Sequence, residues 1–102
     1  MVALKNETSK SLFSMGRIVS TPGALNLLLE HGAAVQDLLY RHCHGDWGQV
    51  SAGDAQLNDA AVRDGTRILS SYQLARGDRR TRVWIITEAD RSSTCLLLPE
   101  EY

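Results

Sequence analysis

The stretch that decides the fold is "RILSSYQLARGDRRTRVWIITEADRSSTCLLL", residues 67–98. Apolar and polar residues alternate in it with a period of two, which is typical of strands that bury one face. Three strands are predicted, over residues 67–75, 82–88 and 93–98. The joins between them, "RGDRRT" and "ADRS", are rich in turn residues and too short for the crossover that parallel neighbours need. The stretch therefore predicts an antiparallel meander.

Upstream of this stretch the apolar period changes to 3.6, which indicates helices. Thr21 is predicted to cap the first helix and Gly32 to end it, because a hydroxyl accepts from a free helical N–H and glycine tolerates the left-handed end. A second helix is predicted over residues 33–44 and a third over residues 54–64, and a strand over residues 12–20 precedes all three. The order β-α-α-α-β-β-β predicts an α+β fold: an antiparallel sheet of three to four strands with about three helices on one face.

Length and composition restrict the class of protein. The chain has 102 residues, of which 43% are hydrophobic and 23% charged, and this predicts one domain over residues 12–102 after a disordered tail over residues 1–11. The net charge of −1 attracts neither nucleic acid nor an anionic membrane, so neither is an expected partner. Two cysteines are too few for a disulfide framework, and no signal peptide or membrane span is visible, so a cytoplasmic location is predicted.

The densest group of reactive side chains is "HCHGDWG", His42–Gly48. On a helix His42 and His44 lie about 200° apart, so they cannot share one ion, and neither a metal site nor a cofactor is predicted. His42 continues the apolar stripe of the second helix and therefore points inward. Two interpretations stay open: a structural histidine bonded to a backbone carbonyl, or a base in a cleft between the helix end and the sheet.

Four further candidates lie on either side of the predicted third helix. Asp46 and Trp47 form a turn that either closes the core or forms the wall of a ligand pocket. Arg67 begins a predicted strand and Tyr72 lies in its middle, so either residue joins the polar cluster of the turn over residues 87–94 if the strand ends converge.

The turn "TEADRSST", residues 87–94, carries more charge than a hairpin needs. Glu88, Asp90 and Arg91 either satisfy one another as an ion network or face a polar ligand, which Arg91 would hold through a bidentate contact. The arginine-rich join "RGDRRTR" lacks aromatic residues and is predicted to be a solvated hairpin tip.

Four stretches taken together carry a family resemblance: "MGRIVSTPGAL", "RHCHGDWG", "GTRILSSY" and "VWIITEADRSSTCLLLPEEY". They resemble small uncharacterised proteins of bacterial mobile elements, which occur on plasmids, integrative elements and integron gene cassettes, some under the label plasmid-related protein. The resemblance covers residues 13–102 and implies an origin in a mobile element. It assigns no activity, cofactor or catalytic residue.

These observations lead to two functional hypotheses. The first is an accessory protein of a mobile element that binds a protein or a small polar ligand. The alternative is a small metal-free hydrolase or transferase that uses His42 with Glu88 or Asp90. A homodimer is also predicted, because the final strand "TCLLL" carries no charge that would block pairing at a sheet edge.

Overall fold

A computed structural model describes residues 11–102, so the predicted tail over residues 1–11 lies outside the described residues except for Ser11. The elements follow the predicted order, and they are β1 (Arg17–Ser20), α1 (Pro22–Glu30), α2 (Val35–Cys43), α3 (Ala52–Asp64), β2 (Ile68–Gln73), β3 (Arg82–Thr87) and β4 (Ser93–Leu97). Short 3₁₀ turns cover Arg79–Thr81 and Pro99–Glu101. The α+β prediction is therefore confirmed.

The four strands form a mixed sheet in the order β1-β4-β3-β2. β2, β3 and β4 make the predicted antiparallel meander, but β1 pairs with β4 in the parallel direction, so the prediction of a purely antiparallel sheet is wrong. Three helices separate β1 from β2, and this length of chain supplies the crossover that a parallel neighbour requires. The strand "TCLLL" consequently lies inside the sheet, and the edges are β1 and β2.

Local capping sets where the helices begin and end. Thr21 Oγ1 accepts a hydrogen bond from Ala24 N at 3.1 Å, as predicted, and Pro22 occupies the first helical position, where no N–H is needed. Ser51 Oγ accepts from the backbone N–H at the third position of α3. That helix ends at Gly65, whose φ of 75° is the left-handed conformation that glycine favours.

The main core lies between one face of the sheet and the helices α1 and α2. Because strand side chains alternate, every second residue of β2, β3 and β4 points toward these helices. The apolar members of this core are Ala24, Leu28, Leu38, Leu39, Tyr72, Val83, Ile85 and Leu96. A second cluster of Trp47, Ala61 and Ile68 attaches α3 along the β2 end of the sheet.

The outer edge of β2 is closed by polar groups from the rest of the chain. Asn58 Nδ2 donates to the Leu69 carbonyl at 2.8 Å, and Asn58 Oδ1 accepts from Leu69 N at 3.2 Å. Ser71 N donates to the carbonyl of Trp47 at 3.0 Å. The next residue, Gly48, forms an isolated parallel bridge with Ser71. Gly48 has a φ of 73°, and a Cβ there would lie 2.0 Å from Ser71 O, so only glycine permits this approach.

Candidate functional site

His42 is completely buried, and both of its ring nitrogens form hydrogen bonds with hydroxyl groups. It lies in the last turn of α2, whose apolar stripe turns it toward the sheet, as predicted. Its Nδ1 lies 2.6 Å from Ser70 Oγ on β2, and its Nε2 lies 2.8 Å from Thr87 Oγ1 on β3. A third hydrogen bond joins Thr87 Oγ1 to Thr94 Oγ1 on β4 at 2.6 Å.

The end of this chain of hydroxyls fixes the direction of every proton in it. Thr94 Oγ1 donates to the carbonyl oxygen of Met15 at 2.7 Å, because a carbonyl can only accept. Thr94 must then accept from Thr87, and Thr87 must accept from the Nε2–H of His42. The Nδ1 atom of the neutral ring therefore carries no proton and accepts from Ser70. The imidazole is held in a single tautomer.

The surroundings of the ring favour its neutral form. Burial, with a smaller contribution from the positive charge of Arg91, lowers the pKa of His42 to about 3. Phe13 meets the imidazole edge-on with 5.3 Å between ring centroids, and Trp47 does so at 6.0 Å. A ring that is neutral, sealed from solvent and saturated with hydrogen bonds is not placed to exchange protons with a substrate.

The two carboxylates considered as partners of His42 lie elsewhere. Glu88 and Asp90 are both exposed. The Asp90 carboxylate accepts from Ser92 N at 2.9 Å, and hydrogen bonds with Ser92 hold the pKa of Asp90 below its usual value. The partners of the His42 ring nitrogens are the hydroxyls of β2 and β3, so the structure does not bring a carboxylate to this imidazole.

The turn after α2 is held by its own contacts. Asp46 pairs with Arg41, with 2.7 Å between Oδ2 and Nε, and this hydrogen bond holds the pKa of Asp46 below its usual value. The Tyr72 hydroxyl donates to the Asp46 carbonyl at 2.7 Å, while burial raises the pKa of Tyr72. Trp47 is buried, and its Nε1 donates to Asp59 Oδ1 at 3.0 Å. Asp46, Trp47 and Tyr72 thus brace the turn against the sheet.

Arg91 ties the β3–β4 turn to the end of α3 rather than joining an ion network with Glu88 and Asp90. Its guanidinium donates to the carbonyls of Ala61 and Thr66, each at 2.7 Å, and to that of Glu88 at 3.1 Å. Arg91 has a φ of 61°, an uncommon value for a residue with a side chain. Because the carbonyls of Ala61 and Thr66 lie at or beyond the last turn of α3, a cation there also suits the helix dipole.

Arg67, another of the sequence-predicted candidates, lines an open concavity. This groove, of about 230 Å³, lies between α3 and the outer face of β2. Arg67 also donates from Nη2 to the Tyr102 hydroxyl, and its guanidinium carbon lies 5.4 Å from the Tyr102 ring centroid. The lining residues of the groove are Val50, Asp54, Leu57, Asn58, Arg67 and Leu69.

Sequence reasoning missed the partners of His42 and the role of Leu57. Ser70, Thr87 and Thr94 occupy inward strand positions that are otherwise apolar, and this break in the pattern is a signal for a buried polar group. Leu57 is 67% exposed, although it lies one helical turn before Ala61, which is buried. The difference arises because α3 lies along the sheet edge, so its buried stripe is narrow.

Within residues 11–102, no three side chains of His, Cys, Asp or Glu converge as metal ligands, and none of the helices has the length and apolar character needed to cross a bilayer. Comparisons of the chain with protein-family models, curated proteins and solved structures gave no match.

Proposed function

We propose that this chain is a protein-binding accessory module of a mobile genetic element, and that its binding site is the groove between α3 and β2. One observation carries the proposal: Leu57 is 67% exposed and lines this concavity, whereas the side chains of His42, Tyr72 and Arg91 are engaged in internal contacts. The mobile-element origin rests on the sequence resemblance alone.

The size of the groove favours a protein partner over a complete small-molecule ligand. Ligand pockets usually enclose about 300–1,000 Å³ and bury most of the ligand. The groove of about 230 Å³ is smaller than this range and open on one side. A space of this size suits one apolar side chain of a partner, with Leu57, Val50 and Leu69 as the apolar contacts.

Two charged residues line the groove, Arg67 and Asp54, and Arg67 specifies which group should flank the apolar side chain on its own side. Arg67 is exposed, and its guanidinium carries more N–H donors than the one that Tyr102 accepts. Such a group binds a carboxylate through parallel hydrogen bonds. The partner is therefore a peptide segment with an apolar anchor and a nearby Asp or Glu. A catalytic use of His42 with Glu88 or Asp90 gains no support from the geometry.

We further propose a cytoplasmic location and a homodimer. The location is supported by Cys43 and Cys95, which are both free thiols, as is usual in a reducing compartment. The dimer is supported by the sheet edge at β1, which has no outer neighbour within residues 11–102, and not by the strand "TCLLL" from which it was first predicted.

Selection from a displayed random-peptide library tests the proposed groove. The selected peptides should share an apolar residue close to an acidic one. Their affinity should fall about tenfold or more for Leu57→Glu, because a carboxylate would replace the exposed apolar contact. Gln56→Glu is the matched control, since it adds the same charge at an exposed position of α3 outside the groove lining. No enrichment, or equal binding to Leu57→Glu and the parent, would contradict the proposal.

A further inference from the structure

The outer edge of β1 presents backbone groups that the described chain does not use. Arg17 N donates to Ser92 O and Thr21 N donates to Leu96 O, both at 3.0 Å. The backbone N–H and C=O groups of the odd-numbered residues of β1 therefore point toward β4. The N–H and C=O groups of Ile18 and Ser20 therefore point away from the sheet. Within residues 11–102, β1 has β4 as its single neighbouring strand.

We propose that a second copy of this chain pairs with β1 in the antiparallel direction about a two-fold axis at Val19. Ile18 of each copy then exchanges N–H···O bonds with Ser20 of the second copy, and Val19 faces its own equivalent. Two four-stranded sheets become one continuous sheet of eight strands. The inference rests on the proposed homodimer and identifies its surface and register.

The apolar pattern of the outer sheet face supports this register. Val19 lies opposite Cys95, Cys95 opposite Ile86, and Ile86 opposite Leu69. One apolar residue from each strand thus forms a row across the sheet, and the row ends at Val19, which is 39% exposed. In the proposed dimer, Val19 of the second copy takes the place of solvent beside Val19 and continues the row.

The helix side of the same edge carries three more exposed apolar residues. Ile18 lies on β1, and Leu25 and Leu29 lie on α1, which packs on β4. Leu28 faces the core, and Leu27, on one flank of α1, packs against that core. A helix turns about 100° per residue, so Leu25 and Leu29 lie on the opposite flank, toward the β1 edge. Leu29 is 77% exposed, and the second copy's α1 would cover it.

Charge complementarity selects a second copy as the occupant. In this register Arg17 lies opposite Thr21 of the second copy, the residue that follows its β1 and caps its α1. Thr21 Oγ1 donates to the carboxylate of Glu101 at 2.7 Å, so that carboxylate is held beside the edge. Arg17 of each copy thus meets Glu101 of the other, and two symmetric ion pairs flank Val19. The β2 edge cannot offer the same pairing, because Asn58, Trp47 and Gln49 occupy its backbone groups.

Disulfide trapping tests both the edge and the register. The background is the full chain with Cys43→Ala and Cys95→Ser, since Cys95 lies beside position 19 and would compete for it. Val19→Cys should cross-link to a covalent dimer under mild oxidation, because directly opposed residues of a non-hydrogen-bonded pair lie about 4.5 Å apart between Cα atoms. Ile18→Cys is the matched control. Its equivalents are offset by two residues, about 7–8 Å apart, and should cross-link about tenfold more slowly.

A second variant measures the dimer without a covalent bond. Val19→Lys places two ammonium groups across the axis and should raise the dissociation constant of the dimer about tenfold or more in light scattering. A dimer that resists Val19→Lys and shows no preference for Val19→Cys would overturn this inference and leave the homodimer standing. A monomer at all concentrations would overturn both. A full-length monomer that dimerises once residues 1–10 are removed would assign the edge to the N-terminal segment and overturn the inference as well.

Discussion

The stability of this protein should fall steeply as the pH drops below the ordinary pKa of histidine, because His42 is buried in its neutral form. Its pKa is lowered from 6.5 to about 3 in the fold, so the unfolded chain binds a proton that the folded chain does not. Stability is therefore fully present above pH 6.5 and is lost progressively between pH 6.5 and 3. At pH 4.5, two units below the ordinary pKa, the loss from this one group is about 3 kcal/mol, at roughly 1.4 kcal/mol per unit.

Urea denaturation at a series of pH values measures this effect, and variants separate it from the titration of carboxylates. His42→Gln removes the ionisable ring, so the difference between parent and variant in free energy of unfolding should shrink by about 3 kcal/mol between pH 7.5 and 4.5. Ser70→Ala is the matched control, because it breaks the same hydrogen-bond chain but keeps the imidazole. It should lower stability at every pH and retain the parent's pH dependence. If parent and His42→Gln show parallel curves, the assignment of a buried neutral histidine is refuted.

Two further substitutions test structural contacts, one at the β2 edge and one at the β3–β4 turn. Gly48→Ala should lower the free energy of unfolding by about 2–3 kcal/mol, since its Cβ would lie 2.0 Å from Ser71 O. It should also increase aggregation, because the β2 edge would open. A loss of stability below about 0.5 kcal/mol in a denaturant melt would contradict this. Arg91→Ala should cost about 2–3 kcal/mol in the same assay, because its guanidinium donates to three backbone carbonyls, whereas Arg79→Ala at the exposed hairpin tip should match the parent.

Features that depend on neighbouring residues were predictable from the sequence. Thr21 and Gly65 mark helix ends through contacts within four residues, so the pattern is sufficient to locate them. The alternation of the last three strands similarly predicted the meander. The place of β1 was not predictable in this way, because its pairing with β4 joins residues more than 70 positions apart and no local signal records the direction.

The candidate site was predicted less well, for a related reason. The helical stripe correctly turned His42 inward, but its partners depend on the register between α2 and the strands. Arg91 resembled a ligand-binding residue because the sequence shows its charge but does not show the backbone carbonyls to which it donates. Polar residue types identify where hydrogen bonds are needed, whereas only the assembled fold shows whether the chain itself supplies them.

The hydroxyl chain at His42 has a structural consequence that connects the core to both proposed surfaces. It joins α2 to β2, β3 and β4 and ends at the carbonyl of Met15, just before β1. A slip of β2 that brings Leu69 to the position of Ser70 would leave an imidazole nitrogen without a partner in the core, so this wrong register is penalised by an unsatisfied polar group. An apolar core would not impose this penalty. The contacts of His42 therefore help to set the register of the sheet on which both the α3–β2 groove and the β1 edge lie.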